Sequence, residues 1–403
     1  MASISIYTVS PGDTLYGIAR RFGMNVNDLM SLNGLASSNL SVGQTLQVYA
    51  DNDEQESFVP PTTQPETGWG GGAPSWGSGG GSSPGWGSGS GGGYAAARQQ
   101  FGVQSRPDAG FNRYTLTVPL LSGGTVSANM RDNLTNSSHM VYPHGIMYAG
   151  QSNIEVDIYS IQSVGLTPQT ARALQYVSTH EGKFDAINSY DKAIFSYGFI
   201  QFVGAAAYGG SLNQVMASMK ANAPGVFAQV FQNVGIDVLG NNVTVVDDNG
   251  NTLQGDQAWL YIQQTVPLYG AFIQAGFEPA LVLEQLRMAN TLYVQPTLKA
   301  RLDLNIGGTP VSVALQDIFT SEAFQTIAIA IGINQGVGGM SRNVVAPAAS
   351  QIAWNTGVPD LRQIDERAVA ELIAASATDE RIRSRAQGVL DSGLSFDKAG
   401  GWG

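Results

Sequence analysis

The sequence predicts an α+β protein built in two folded parts. A small βααβ module occupies residues 1–50, and a large, mostly helical domain with a β-rich lead-in occupies the C-terminal three quarters. Three observations carry this reading. The chain has 403 residues, more than one ordinary core takes, and 43% of them are hydrophobic. Composition changes abruptly at residues 51 and 94, where patterned sequence gives way to a Gly-, Ser- and Pro-dominated tract and then returns. Apolar spacing also differs along the chain: strand-like near each start, and of period three to four over most of the remainder.

In the first module, Tyr7-Thr8-Val9 is strand-like and Ser10-Pro11-Gly12 turns the chain. Asp13 is placed to cap a helix carrying Leu15, Ile18, Ala19 and Phe22, which Gly23 ends. A second helix bears Leu29, Met30 and Leu32 and stops at Gly34, and Thr45–Val48 is the closing strand. Residues 51–93 contain PSWGSGGGSS followed by PGWGSGSGGG, which cannot build a core and reads as a flexible linker. As a Gly-rich coil such a tract spans roughly 35 to 40 Å. Trp69, Trp76 and Trp86 punctuate it.

From residue 94 to 165, FNRYTLTVPL and the neighbourhood of IEVDIYSI are β-rich in composition. Thr167-Pro168 then opens a helix, PQTARALQYVSTHEG, with Ala171, Leu174, Val177 and Glu181 on one face and Gly182 as its stop. Downstream, residues 203–236 are read as helical, VTVVDDNGNTL as a hairpin turning at Asn249-Gly250, and 256–274, 277–292, 322–333 and 366–390 as helices. INQGVGG, residues 333–339, is read as a Gly-rich loop.

Composition also excludes function classes. The net charge of −11 argues against nucleic acid as the main partner. The absence of Cys removes disulfides and thiolate metal sites. No apolar run reaches the roughly 18 to 20 residues of a membrane span, and MASISIYTVS lacks the basic and apolar regions of a signal peptide. His180-Glu181 begins like a zinc-protease motif, but the position of its second His holds Phe184, and His139 and His144 lack ligand spacing. No metal and no cofactor is expected.

The chemistry-bearing stretch is HEGKFDAINSYDKAIFSYGFIQF, residues 180–202. A Glu at the buried edge of a helix C-terminus is disfavoured as an anion, both by burial and by the negative end of the helix dipole. A carboxylic acid kept protonated is what glycosidic cleavage needs to donate to the leaving oxygen. The plain alternative is a helix-edge Glu hydrogen-bonded to a loop.

Two resemblances sharpen these readings. Tyr7-Thr8-Val9, Gly12-Asp13-Thr14-Leu15, Ile18-Ala19, Phe22, Leu29, Asn33 and Val42-Gly43-Gln44-Thr45-Leu46 resemble a LysM module. That implies binding of N-acetylglucosamine-containing glycans, peptidoglycan or chitin, by Gly12, Asp13, Thr14 and Leu15 with Met30 and Leu32. Capping and core packing are the other roles open to the same residues. Glu181-Gly182, with an Asp and a hydroxyl residue downstream, is similar to phage-type lysozymes, and Ser196-x-Gly198-x-x-Gln201 is similar to lytic transglycosylases. Both patterns resemble the lysozyme superfamily, whose chitosanases also use Glu and Asp.

The second resemblance implies Glu181 as general acid, Asp191 as base or ion-stabilising carboxylate with Asp185 as rival, and Ser196 holding water. Tyr197 and Gln201 are then substrate contacts, with a structural role open to Gln201. Asn334 and Gln335 would bind sugar hydroxyls, or simply form a polar helix end. The expected activity is a peptidoglycan muramidase or lytic transglycosylase, reaching the wall after lysis or on a particle. The alternative is a structural component of a phage tail or contractile injection system whose lysozyme-like domain only docks.

Overall fold

The computed structural model describes residues 4–9, 18, 22, 26–35, 40–41, 43–49, 92–108, 111–132, 142 and 145–398. Trp69, Trp76, Trp86, His139 and His144 lie outside them, as does nearly all of the tract read as a linker.

In the first module, strand Ile4–Thr8 pairs antiparallel with Thr45–Tyr49, Ile6 opposite Gln47. Alternation sends Leu46 and Val48 inward, where they meet Val9, Ile18 and Leu29 in a small core. Helix Val26–Leu32 leans on that core through Met30 and Leu32. Asn33 locks the helix end to the closing strand: its Nδ2 donates to the carbonyls of Leu29 and Gln47, both at 2.8 Å, and its Oδ1 accepts from the Gln47 N–H at 2.6 Å.

The large part holds a seven-stranded antiparallel meander. Its strands are Gly102–Asp108, Phe111–Pro119, Thr125–Asp132, Ile146–Tyr148, Ile187–Asn188, Ser196–Tyr197 and Phe202–Val203, each bonded to the next. The lead-in segment 94–165 is therefore not set apart from the residues after 166. Met147 pairs with Asn188 across the boundary, and one hydrophobic core runs from Phe101 to Val389. Helix Gly92–Arg98 starts this part, and Arg98 is buried there; its guanidinium donates to the Val234 and Val246 carbonyls and reaches Asp248 and the Tyr261 hydroxyl, both at 2.9 Å.

Helix Pro168–Glu181 forms as its sequence predicts. Thr167 and Thr170 make a reciprocal capping box, Pro168 takes the first turn, and Leu174 and Val177 are buried. It packs against helix Glu322–Gly339, and Arg172 pairs with Glu322 at 2.5 Å. Beneath the short strands lies an aromatic floor. Phe195 stacks on Trp259 at 5.5 Å and meets Phe272 at 4.7 Å, and Tyr197 meets Phe272 edge-on at 5.2 Å.

Several expected elements differ. IEVDIYSI is not a strand: the Asp157 carboxylate accepts from the Tyr159 and Ser160 N–H groups and caps helix Ile158–Ser163. The 203–236 segment breaks at Pro224 into helices Ser211–Asn222 and Pro224–Val230, and strand Ile236–Leu239 joins the predicted hairpin. Segment 256–274 breaks at Thr265, ahead of Pro267. Residues 290–294 and 340–345 are wide π turns, each just before an internal proline, Pro296 or Pro347, whose missing N–H a widened turn accommodates. Segment 366–390 is two helices, Glu366–Ser376 and Glu380–Asp391.

Candidate functional site

Glu181 is the last residue of helix Pro168–Glu181, and its side chain lies outside the described set. The bend immediately after it is tightly built. Gly182 adopts φ 136°, and a Cβ there would stand 2.8 Å from the Ala186 Cβ and 3.4 Å from the Ala149 carbonyl oxygen. The Lys183 N–H donates to that same carbonyl at 3.1 Å. The chain thus leaves the helix sharply and enters strand Ile187–Asn188 within six residues.

Asp185 sits in the bend and is fully buried. Its Oδ1 accepts from the Gln151 and Ser152 N–H groups at 2.9 Å each, and its Oδ2 accepts from the Tyr148 hydroxyl at 2.9 Å. Gly150 and Gly276 close over it so nearly that a Cβ on either would fall within 2.5 Å of its atoms. Burial pushes its carboxyl above the usual carboxylate range against these hydrogen bonds. As the rival second carboxylate it therefore faces no solvent; its bonds join the bend to the loop after strand Ile146–Tyr148.

Asp191 lies in the turn joining Ile187–Asn188 to Ser196–Tyr197 and is half-buried. Its Oδ1 accepts from the Ala193 N–H at 3.0 Å and its Oδ2 from Asn188 Nδ2 at 3.3 Å. Tyr142 approaches this turn, its N–H donating to the Tyr190 carbonyl at 3.1 Å. The Tyr142 hydroxyl is raised first by burial, then by the charges of Asp256, Tyr208 and Asp191. Asp256 also accepts from the Ala206 N–H at 2.9 Å. Ser196 pairs with Asn188 across the ladder, so the two project from one face of the sheet, but that face is covered: Ser196 is 3% and Asn188 1% exposed, which does not fit the expected role of Ser196 in holding a catalytic water.

Other expected contacts are placed differently. Tyr197 comes directly after Ser196 and so points to the opposite face, where it is buried on Phe272 and its hydroxyl lies 3.3 Å from Gln285 Nε2. It cannot stack on a sugar. Gln201 is 6% exposed, with φ 57°, and its Nε2 donates to the Gly198 carbonyl at 3.0 Å and backs onto Gly182. It supports the bend from behind, which is the structural role open to it. Asn334 and Gln335 are not in a loop: they continue helix Glu322–Gly339, which kinks only at Gly336. Asn334 donates back to the Ala330 carbonyl and Gln335 donates to Asp379 at 2.9 Å. Met30 and Leu32 are partly buried against their module's core, and Gly12, Asp13, Thr14 and Leu15 lie outside the described residues.

Sequence reasoning missed four contributors. Asn188 was detectable, since alternation in Ile-Asn-Ser sets it facing Ser196. Tyr142 and Asp256 were not, because they reach the Asp191 turn from remote segments. Gln285 is also new: from helix Pro279–Ala289 its Nε2 donates to the Phe184 carbonyl at 2.9 Å, tying the bend to the strand bearing Ser196 and Tyr197.

The LysM domain family matches residues 7–48. Within this region the chain is 52% identical over 44 residues to N-acetylmuramoyl-L-alanine amidase sle1 of Staphylococcus saprophyticus. It is 54% identical over 44 residues to probable endopeptidase p60 of Listeria seeligeri, and 48% identical over 42 residues to probable peptidoglycan endopeptidase LytE of Bacillus subtilis. These matches take in 10 to 11% of this chain and only 14%, 8% and 13% of those relatives. No solved structure matches the chain. A segment whose strands pair first-to-last around Leu29, Leu46 and Val48, matched by the family over residues 7–48, is identified there as a LysM domain.

Proposed function

We infer that the protein binds cell-wall peptidoglycan through its LysM domain and cleaves the β-1,4 glycan strand at the end of helix Pro168–Glu181. The names of the relatives sharing the LysM segment, an amidase and two endopeptidases, support a wall-directed role. For the cleavage, the observation that carries the reading is the junction at Gly182. The helix ends on Glu181, and a rigid bend after it leads directly into a short sheet. That sheet carries the half-buried Asp191 at its turn, held by the buried Asn188.

In this reading Glu181 protonates the glycosidic oxygen as the bond to the anomeric carbon breaks. Asp191, oriented by Asn188 and the Ala193 N–H, stabilises the resulting cation or activates water. Ser196, paired with Asn188 across the ladder, is itself buried and is not open to water at that turn. Asp185 is reserved for structure by its enclosure. Zymography on purified walls tests this with Glu181→Gln. Expected is the loss of at least roughly nine tenths of lysis, in line with removal of a general acid, with wall binding retained. Lysis by the variant at the parent rate overturns the assignment.

A further inference from the structure

The first three strands of the meander, Gly102–Asp108, Phe111–Pro119 and Thr125–Asp132, have two unlike faces. Leu116, Val118, Ala128 and Met130 alternate onto the inner face and are buried. The outer face is polar. Arg106 stands directly opposite Arg113, and Arg113 directly opposite Arg131, so three arginines occupy one rung on one side of the sheet. The next rungs are Gln104–Thr115–Asn129 and Gly102–Thr117–Ser127. Gln104, Arg106, Thr117, Ser127 and Asn129 are exposed, and Arg113 and Arg131 are half-buried.

Such a row costs stability on its own, because like charges directly opposite on neighbouring strands repel. The chain has only 20 Lys and Arg among 403 residues and a net charge of −11, yet three of its cations share one rung. Asp132, next in sequence to Arg131, alternates to the other side, where it is buried and its carboxylate accepts from the Asn112 N–H at 2.7 Å and from Asn112 Nδ2 at 2.8 Å. Asp108, two residues beyond Arg106, pairs with Phe111 at the strand end. The Tyr7 ring of the LysM domain lies 6.0 Å from the Arg131 guanidinium. One end of the row therefore adjoins that domain, and the other, Arg106 on the edge strand, meets solvent.

A guanidinium offers five N–H donors in a planar fork, so a contact within the chain leaves donors for a ligand, and the fork fits phosphate bidentately. Neighbouring strands lie about 4.8 Å apart, so the row spans roughly 10 Å, room for consecutive phosphates of one flexible chain to cross it. The two flanking rungs supply hydroxyl and amide groups and no aromatic ring. That suits a polyol between the phosphates and gives a nucleobase nothing to stack on.

We propose that Arg106, Arg113 and Arg131 form a binding site, separate from the Glu181 junction, for a phosphodiester-linked polyol chain, a class of anionic polymer found in bacterial walls. The choice of a wall polymer rests on the wall-binding reading; the anion site itself rests on the arginine row. The ligand crosses the strands with its phosphates on the guanidinium groups and its hydroxyls against Gln104, Thr117 and Asn129. Its binding is salt-sensitive, and on an intact wall it adds to the LysM domain by avidity.

The test measures binding of the full chain, with Glu181→Gln to prevent lysis, to soluble poly(glycerol phosphate) over a range of salt concentrations. Alongside it, retention is measured on walls before and after chemical removal of their phosphodiester polymer. The expected result is polymer binding that Arg106→Gln weakens several-fold, with the slope of log Kd against log salt falling by about one. Arg106→Lys keeps the charge and should keep the slope. Arg106→Gln should melt no lower than the parent, because it removes a like charge from the rung, which separates lost binding from lost fold. An unchanged slope in Arg106→Gln overturns the site, and so does equally tight binding of single-stranded DNA of matched charge. If stripped walls retain the chain while poly(glycerol phosphate) does not bind, the site fails and the LysM reading stands. If neither walls nor polymer bind, both fail. Binding of poly(glycerol phosphate) by a chain that stripped walls do not retain upholds the arginine site and removes peptidoglycan binding.

Discussion

Asp185 and Asp191 lie in one short segment and do opposite things with the same functional group. Asp191 keeps a half-buried carboxylate at a turn, and Asp191→Asn is expected to lower glycan cleavage on the order of 10²-fold, read as kcat on one defined oligosaccharide. Asp185→Asn is expected to lose much less, and an inverted order would make Asp185 the partner of Glu181. Asp185 instead governs stability. Its carboxyl is raised in the folded state by burial, so the fold holds that proton more tightly than the unfolded chain does. The group's favourable contribution is present at low pH and is lost as pH rises from the unfolded value through the raised folded one. Melting temperatures of Asp185→Asn and the parent should therefore diverge in the variant's favour between acidic and neutral pH. A difference that is flat with pH contradicts the raised value. Asp185→Ala, which strips partners from the Tyr148 hydroxyl and the Gln151 and Ser152 N–H groups, the last of them buried, should be destabilising at every pH, by about 2 to 4 kcal/mol.

Helix Pro168–Glu181 is the element that everything at the junction depends on, and its two ends are legible in the sequence because their signals are local. Thr167-Pro168 and Gly182 act within one turn of themselves. Thr167→Ala should cost about 1 kcal/mol by removing the side-chain acceptor of the capping box, measurable as a fall in denaturation midpoint with an unchanged denaturant slope. Gly182→Ala should be worse, since a methyl there meets Ala186 at 2.8 Å in a backbone conformation that side chains resist. Other elements escape a local reading because distant partners decide them. INQGVGG has the glycines of a loop, yet burial of Ile331 and Ile333 and the Gln335–Asp379 bond keep it helical. Tyr197 has the chemistry of a sugar contact, although a one-residue step from Ser196 already sends it to the other face. Leu302 and Leu304 alternate ahead of Gly307-Gly308, a hairpin signature present in the local sequence.

For the whole molecule, removal of residues 1–50 is expected to lower activity on insoluble walls and leave activity on short soluble glycans unchanged. Equal losses on both would make the LysM domain part of the catalytic body. At this scale the sequence reveals the LysM domain fully, because its motif residues are contiguous. It conceals the union of residues 94–165 with the remainder, because strand pairing between Met147 and Asn188 leaves no trace in composition. That union bears on how the chain is made. During synthesis the edge of Ile146–Tyr148 emerges with its earlier neighbours formed and no later one to bond. It must wait for two intervening helices before Ile187–Asn188 arrives. Until then an open strand edge is available to other nascent chains. Growth of the chain between these strands is therefore the stage most open to misassembly, and chaperone demand should peak there rather than during growth of the helical remainder.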